Sequence, residues 1–135
     1  MIVIDASAMV EALVGRDPDP ALLDALTREV SAPHLLDVEV LSALRGLTLA
    51  GKLDLDDADQ ARRDYFAFTI SRYDTEPLAD RVWALRHRFT SYDACYPSLA
   101  EAVDATLWTG DGKLENGHAA RVHVVNSSPP PTSGG

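Results

Sequence analysis

Cysteine is almost absent from this chain. Cys95 is the single one, which excludes an internal disulfide and a zinc site built on thiolates. Long apolar runs are missing too: none approaches the roughly 18 to 20 residues that a membrane span needs, and no membrane partner is expected. No basic stretch precedes the short apolar run at the amino end, as a secretory signal requires, so a cytoplasmic location is the expectation. Cations are scarce beside acids, 12 Lys and Arg against 21 Asp and Glu, for a formal charge of −9. That balance speaks against a broad basic surface for nucleic acid. It still allows a nuclease whose acids are partly neutralised by metal, and it would attract a basic partner peptide. No glycine-rich loop leads into a Lys-Ser or Lys-Thr pair, so a nucleoside triphosphate site is unsupported. His34, His87, His118 and His123 lack metal-ligand spacing.

What is present fits one globular domain. The 135 residues, 46% hydrophobic and 24% charged, suffice for one core. Ile2 to Ile4 is a β-branched apolar run that predicts a strand buried on both faces. Helices are expected over Ser7 to Val14, Pro20 to Arg28, Leu36 to Ala50, Asp54 to Phe68, Leu78 to Phe89 and Asp93 to Val103. The third is the clearest: Leu36, Val40, Leu44 and Leu47 recur at helical spacing, and Gly51 stands at its carboxyl end. Beside that stripe run Glu39, Ala43 and Gly46, small enough to let another backbone approach Glu39. Further strands are expected at Val30 to Ala32, Ile70 to Tyr73, Thr106 to Thr109 and Val122 to Val125. Strands alternating with helices predict an α/β fold, a three-layer α/β/α sandwich around a central parallel sheet. Residues 1–126 form the domain; the Ser/Pro/Gly-rich residues 127–135 are expected to be a disordered tail.

Four acids stand in apolar or turn-forming surroundings: Asp5 after the first strand, Glu39 on the third helix, Asp93 in Ser91-Tyr92-Asp93-Ala94, and Asp111 in Gly110-Asp111-Gly112. Each has an ordinary use by itself, as a helix cap, an exposed helix residue or a turn former. Together they are harder to dismiss. Carboxylates in near-core segments are costly unless a cation compensates them, and no lysine or arginine is dedicated to these. In an open parallel sheet, ligands sit outside the carboxyl ends of the strands, where all four can converge. Mg2+ or Mn2+ prefers such oxygen ligands and would support hydrolysis of a phosphodiester. Ser7 and Thr109 are candidate supports, as caps or as holders of water.

The ordered segments Asp5-Ala-Ser, Pro33-His34-Leu-Leu-Asp-Val-Glu39, Tyr92-Asp93-Ala-Cys-Tyr96 through Ala100-Glu101, and Thr106-Leu-Trp-Thr-Gly-Asp111 closely resemble the PIN-domain family. Within it the chain resembles a VapC-type toxin of bacterial type II toxin-antitoxin systems, over residues 1 to 126. The resemblance implies an Mg2+- or Mn2+-dependent endoribonuclease acting on RNA, a homodimer, neutralised by a VapB-type antitoxin that places a basic side chain in the acidic pocket. It implies Asp5 and Asp93 as principal metal ligands, with Glu39 and Asp111 completing the pocket directly or through water. Arg45 resembles a recurrent arginine that anchors antitoxin or orients Glu39. Arg86 and Arg88 are candidate contacts for RNA or antitoxin. Pro97 departs from the pattern, standing where relatives carry an aliphatic residue, with no amide proton for the carbonyl of Asp93. A catalytically impaired PIN-fold binding or regulatory protein is therefore a second reading. A third is a phosphatase using Asp5 as nucleophile, against which Ser7 stands where a second acid would be expected.

Overall fold

A computed structural model describes residues 1–130. At its centre is β1 (Ile2–Ile4), every residue of it buried. It pairs in parallel on one side with β2 (Val30–Pro33), Ile2 opposite Val30, and β2 pairs in turn with β3 (Ile70–Tyr73). On its other side lies β4 (Thr106–Thr109), with Ile4 opposite Trp108, followed outward by β5 (Val122–Val124). The order β3-β2-β1-β4-β5 makes a five-stranded, all-parallel sheet. Chain direction across the sheet reverses between β1 and β4, which is where such folds open a crevice at their carboxyl ends.

Helices cover both faces in a three-layer α/β/α sandwich. On one face α1 (Ala6–Val14), α3 (Leu35–Leu49) and α4 (Leu55–Ala67) pack on one another. On the other, α6 (Ser91–Val103) lies against β1, β2 and β4, with α5 (Ala79–Ala84) packed on it. The short α2 (Pro20–Ala25) closes the turn after α1. Of the described residues, no helix is long and apolar enough to cross a membrane.

Several boundaries differ from the sequence expectation, each for a local reason. The helix expected over residues 78–89 is a 3-10 turn (Glu76–Leu78), then α5, then further tight turns in which Arg86 N–H reaches Trp83 and Arg88 N–H reaches Leu85. Leu78, Val82 and Leu85 stay buried in this tighter winding. The helix from Pro20 ends at Ala25, where the N–H groups of Thr27 and Arg28 bond back three residues. Most relevant to function, α6 begins before Asp93: Thr90 is its cap, its hydroxyl accepting from Asp93 N–H at 3.1 Å. Pro97 is therefore the seventh residue of α6 and interior to it.

The expected tail begins on the body of the domain. Ser128 donates to Glu11, and the carbonyl of Pro129 accepts from Arg16 N–H at 3.0 Å. Residues 131–135 lie outside the described residues.

Candidate active site

Asp5 leaves β1 in extended conformation and caps α1, so one carboxylate serves both the helix and the crevice. Its Oδ1 accepts from Ala8 N–H at 3.0 Å and from the Ser7 hydroxyl at 2.7 Å; its Oδ2 accepts from the Thr109 hydroxyl. The two supporting hydroxyls are themselves fixed by the turn after β4. Ser7 Oγ accepts from Gly110 N–H at 2.8 Å, and Thr109 Oγ1 from Asp111 N–H at 2.9 Å. Ser7 and Thr109 thus both donate to the Asp5 carboxylate, and Thr109 is fully buried. Asp5 itself is only 5% exposed. Burial pushes its carboxyl above the ordinary range; the bonds from Thr109, Ala8 and Ser7 pull it back in part, and the charge of Asp111 pushes it up again.

Glu39 projects from α3 and is half-buried. Its Oε1 accepts a short hydrogen bond from the Tyr96 hydroxyl on α6. Burial raises the Glu39 pKa, Tyr96 lowers it, and the charges of Asp93 and Asp5 raise it again. Glu39, on α3, therefore lies within the fields of both Asp93 on α6 and Asp5 after β1. At the far end of the small-residue stripe Gly46 faces open space, so no backbone approaches there. What comes up to Glu39 is a tyrosine side chain. Sequence reasoning did not assign Tyr96 a role. The available signal was its place three residues after Asp93, on the same face of α6.

Asp111 caps a 3-10 turn (Gly112–Leu114), its Oδ1 accepting from Lys113 N–H at 3.0 Å. The expectation that no cation attends these acids fails here: Lys113 Nζ stands 3.6 Å from Asp111 Oδ2. The Lys113 side chain is 75% exposed, so the ion pair is weak and solvent-screened.

The donor set suits a hard divalent cation. It is all oxygen, two of its carboxyls are raised by burial, and they repel one another. It is not drawn together as a closed cage: among the described residues, no three Asp, Glu, His or Cys side chains form a compact ligand group. Each acid instead turns to its own donors, Asp5 to Ser7 and Thr109, Glu39 to Tyr96, Asp111 to the Lys113 amide. An open arrangement of this kind matches an ion that keeps several waters.

The arginines fall outside this cluster. Arg45 lines a groove between α3 and α4 with Leu41, Leu44 and Thr48. Six residues along a helix place it about 240° around from Glu39, and the partner of Glu39 is Tyr96, so it does not orient that acid. Arg86 lies over the Trp83 ring, 5.0 Å from the centroid, and donates to the Trp83 carbonyl. Arg88 is exposed beside Gly117. Both sit in the turns leading to α6, and neither forms an ion pair among the described residues. Cys95 is a buried thiol whose pKa is raised by burial and by the charge of Glu39, not an activated nucleophile.

A five-stranded parallel sheet with acids gathered at the switch point between β1 and β4 defines the class: the chain belongs to the PIN domain family, whose profile matches residues 2–117. Its similarity to individual members is substantial. It is 42% identical over 116 residues to Ribonuclease VapC1 of Mycobacterium tuberculosis, covering 83% of this chain and 86% of that one. It is 35% identical over 125 residues to VapC ribonuclease Mb0985 of Mycobacterium bovis, covering 93% and 97%. Among solved structures, PAE2754 from Pyrobaculum aerophilum shares the fold with a TM-score of 0.71 at 21% identity, over 90% of this chain and 81% of that one. FitAcB from Neisseria gonorrhoeae superposes with a TM-score of 0.59 at 20% identity, over 90% and 96%.

Proposed function

We propose that this protein is a VapC-type ribonuclease toxin, an Mg2+- or Mn2+-dependent endoribonuclease held in check by a VapB-type antitoxin. The observation that carries the reading is the meeting of acids from separate elements at the carboxyl edge of the sheet: Glu39 feels the charges of Asp93 and Asp5, Asp5 feels that of Asp111, and burial raises both Glu39 and Asp5. Similarity to proteins named VapC ribonucleases supports RNA as the substrate.

Asp5 and Asp93 would hold the cation, with Glu39 and Asp111 reaching it directly or through water. The ion would supply Lewis-acid polarisation of a phosphoryl oxygen for in-line hydrolysis. The remaining roles belong to the chain. Ser7, Thr109 and the Ala8 amide fix the Asp5 carboxylate, while Tyr96 fixes Glu39. Arg86 and Arg88, free of carboxylate partners among the described residues, offer contacts to RNA phosphates near the start of α6.

The antitoxin's expected chemistry is apolar and basic. Clefts along α1 and α4, lined by Leu13, Val14, Ala67 and Phe68 and edged by Asp57 and Asp64, fit a segment of that kind, as does the charge of −9. A homodimer in the cytoplasm completes the proposal.

The test is cleavage of a structured RNA pool with and without Mg2+ or Mn2+, beside Asp5→Asn. Metal-dependent cutting that vanishes in the variant supports the reading. Equal cutting by both proteins, or cutting indifferent to metal and to EDTA, overturns it.

A further inference from the structure

Glu11 is a buried carboxylate that the proposed chemistry does not use. It is 6% exposed, and it forms no ion pair among the described residues. A buried carboxylate must be hydrogen-bonded, and here the donors all come from Ser128. The Ser128 N–H reaches Glu11 Oε1 at 2.9 Å and Oε2 at 3.0 Å, and the Ser128 hydroxyl makes a further short bond to Oε1. The turn after α1 reinforces the contact from its own side. Arg16 N–H donates to the Pro129 carbonyl at 3.0 Å, and Asp17 N–H to Ser128 Oγ at 3.1 Å. Gly15 makes the arrangement possible: a Cβ there would lie 2.4 Å from Glu11 Oε1.

The contact is connected to the candidate active site by helix geometry. Ser7 and Glu11 are four residues apart on α1 and share a face. The segment after β5 runs along that face, with Ser128 at Glu11 and Ser127 beside the first turn. A Cβ on Gly110 would lie 3.3 Å from Ser7 Oγ and 3.7 Å from Ser127 Oγ. Ser7 in turn accepts from Gly110 and donates to Asp5.

We propose that Glu11 and Ser128 are positioning residues for Asp5: the segment after β5 is a strap that fixes α1 against the end of β4 and thereby keeps Ser7 on the Asp5 carboxylate. The proposal rests on the proposed function only for the role of Asp5. It assigns a task to a Ser/Pro segment that composition alone marks as unstructured.

The experiment compares Glu11→Ala, Glu11→Gln, Ser128→Ala and the core truncation Leu22→Ala in the full chain. Three quantities are read: melting temperature, Mn2+ affinity, and hydrogen exchange at the Ala8 amide, which donates to Asp5. With one or more hydrogen bonds of the network lost, Glu11→Ala is expected to weaken Mn2+ binding about fivefold and speed Ala8 exchange by a similar factor. Ser128→Ala does so more weakly. Glu11→Gln, which keeps an acceptor for Ser128, recovers most of both, and Leu22→Ala lowers melting without moving either. If Glu11→Ala and Ser128→Ala lower melting but leave Mn2+ affinity and Ala8 exchange as in Leu22→Ala, the strap is structural only and the proposal falls. Should Glu11→Ala fail to fold, Ser128→Ala decides on the same readouts. Should the unaltered protein bind no Mn2+, the metal reading falls, and Ala8 exchange still decides whether the strap positions Asp5.

Discussion

The Tyr96 hydroxyl donates to Glu39 and so joins α6 to α3 across the crevice, one residue being fully carried in the core and the other half-open to solvent. The bond favours the charged carboxylate against burial and against the neighbouring charges of Asp93 and Asp5. Burial and the Glu39 charge together hold the Tyr96 phenol far above its ordinary range, so it is a permanent donor. Tyr96→Phe keeps the ring and removes the donor. The expected result is a further rise of the Glu39 pKa, seen by carboxyl NMR, with a stability loss of about 1 kcal/mol. RNA cleavage should fall by more than thermal melting accounts for. An unshifted Glu39 titration would refute this account.

Thr109 tests the other side of the crevice. Its hydroxyl donates to Asp5 and accepts from the Asp111 amide, and it is fully buried. Thr109→Val preserves shape but leaves a buried carboxylate oxygen and an amide short of partners. The expected cost is about 1–3 kcal/mol, measured by urea unfolding in EDTA. Ser7→Ala, at an exposed position, should cost less stability while still weakening Mn2+ binding. Equal unfolding costs for the two variants would show that burial does not set their effect.

The raised acids predict a stability profile with a definite sign. A carboxyl whose folded pKa exceeds its unfolded value binds more protons in the native state between the two. Stability from Asp5 and Glu39 is therefore greatest below their ordinary values of 3.8 and 4.5, and is lost as pH rises through the raised values. A divalent cation held by the charged forms, as proposed, would reverse the trend. In EDTA, the contribution of these acids should fall as pH rises through that window; with Mn2+, melting should rise, by an increment that grows with pH. Asp5→Asn should flatten the EDTA profile. A metal increment independent of pH, or one retained in Asp5→Asn, would place the ion elsewhere.

How much of this was legible in the sequence depends on the kind of signal each residue gives. β1 and α3 were readable because burial on both faces, or on one stripe, imposes a period. Asp5 and Glu39 stood out because carboxylates in apolar segments are costly, and Ser7 and Thr109 followed as neighbours of strand ends. The stretch from Leu78 to Phe89 misled because apolar spacing of three or four residues suits tight i→i+3 turns as well as an α-helix. Tyr96 and Glu11 were missed for opposite reasons. A tyrosine amid apolar residues reads as core, and a glutamate on a short helix reads as solvated until the chain brings Ser128 back to it. That return joins positions more than a hundred residues apart, which no local pattern records. Lys113 was visible beside Asp111, but whether a flexible side chain turns toward its neighbour is a matter of rotamer.

The cap at Thr90 starts α6 early enough that Pro97 is interior, and the residue whose carbonyl it cannot serve is Asp93. An interior proline costs about 3 kcal/mol against a good helix former. Its ring is buried and packed, so replacing it with alanine gives up roughly two methylene contacts at about 0.8 kcal/mol each. The balance favours the substitution by about 1 kcal/mol, and Pro97→Ala should raise the melting temperature by a few degrees. Pro97→Leu should also raise it, with part of the gain offset by overpacking, which costs about 1–3 kcal/mol in a filled core. Because the restored amide bonds to the carbonyl of Asp93, either variant should also change Mn2+ affinity, a change that repacking far from Asp93 would not produce. Lower melting temperatures in both variants would mean that α6 has adapted to its proline and that the missing amide is part of how Asp93 is presented.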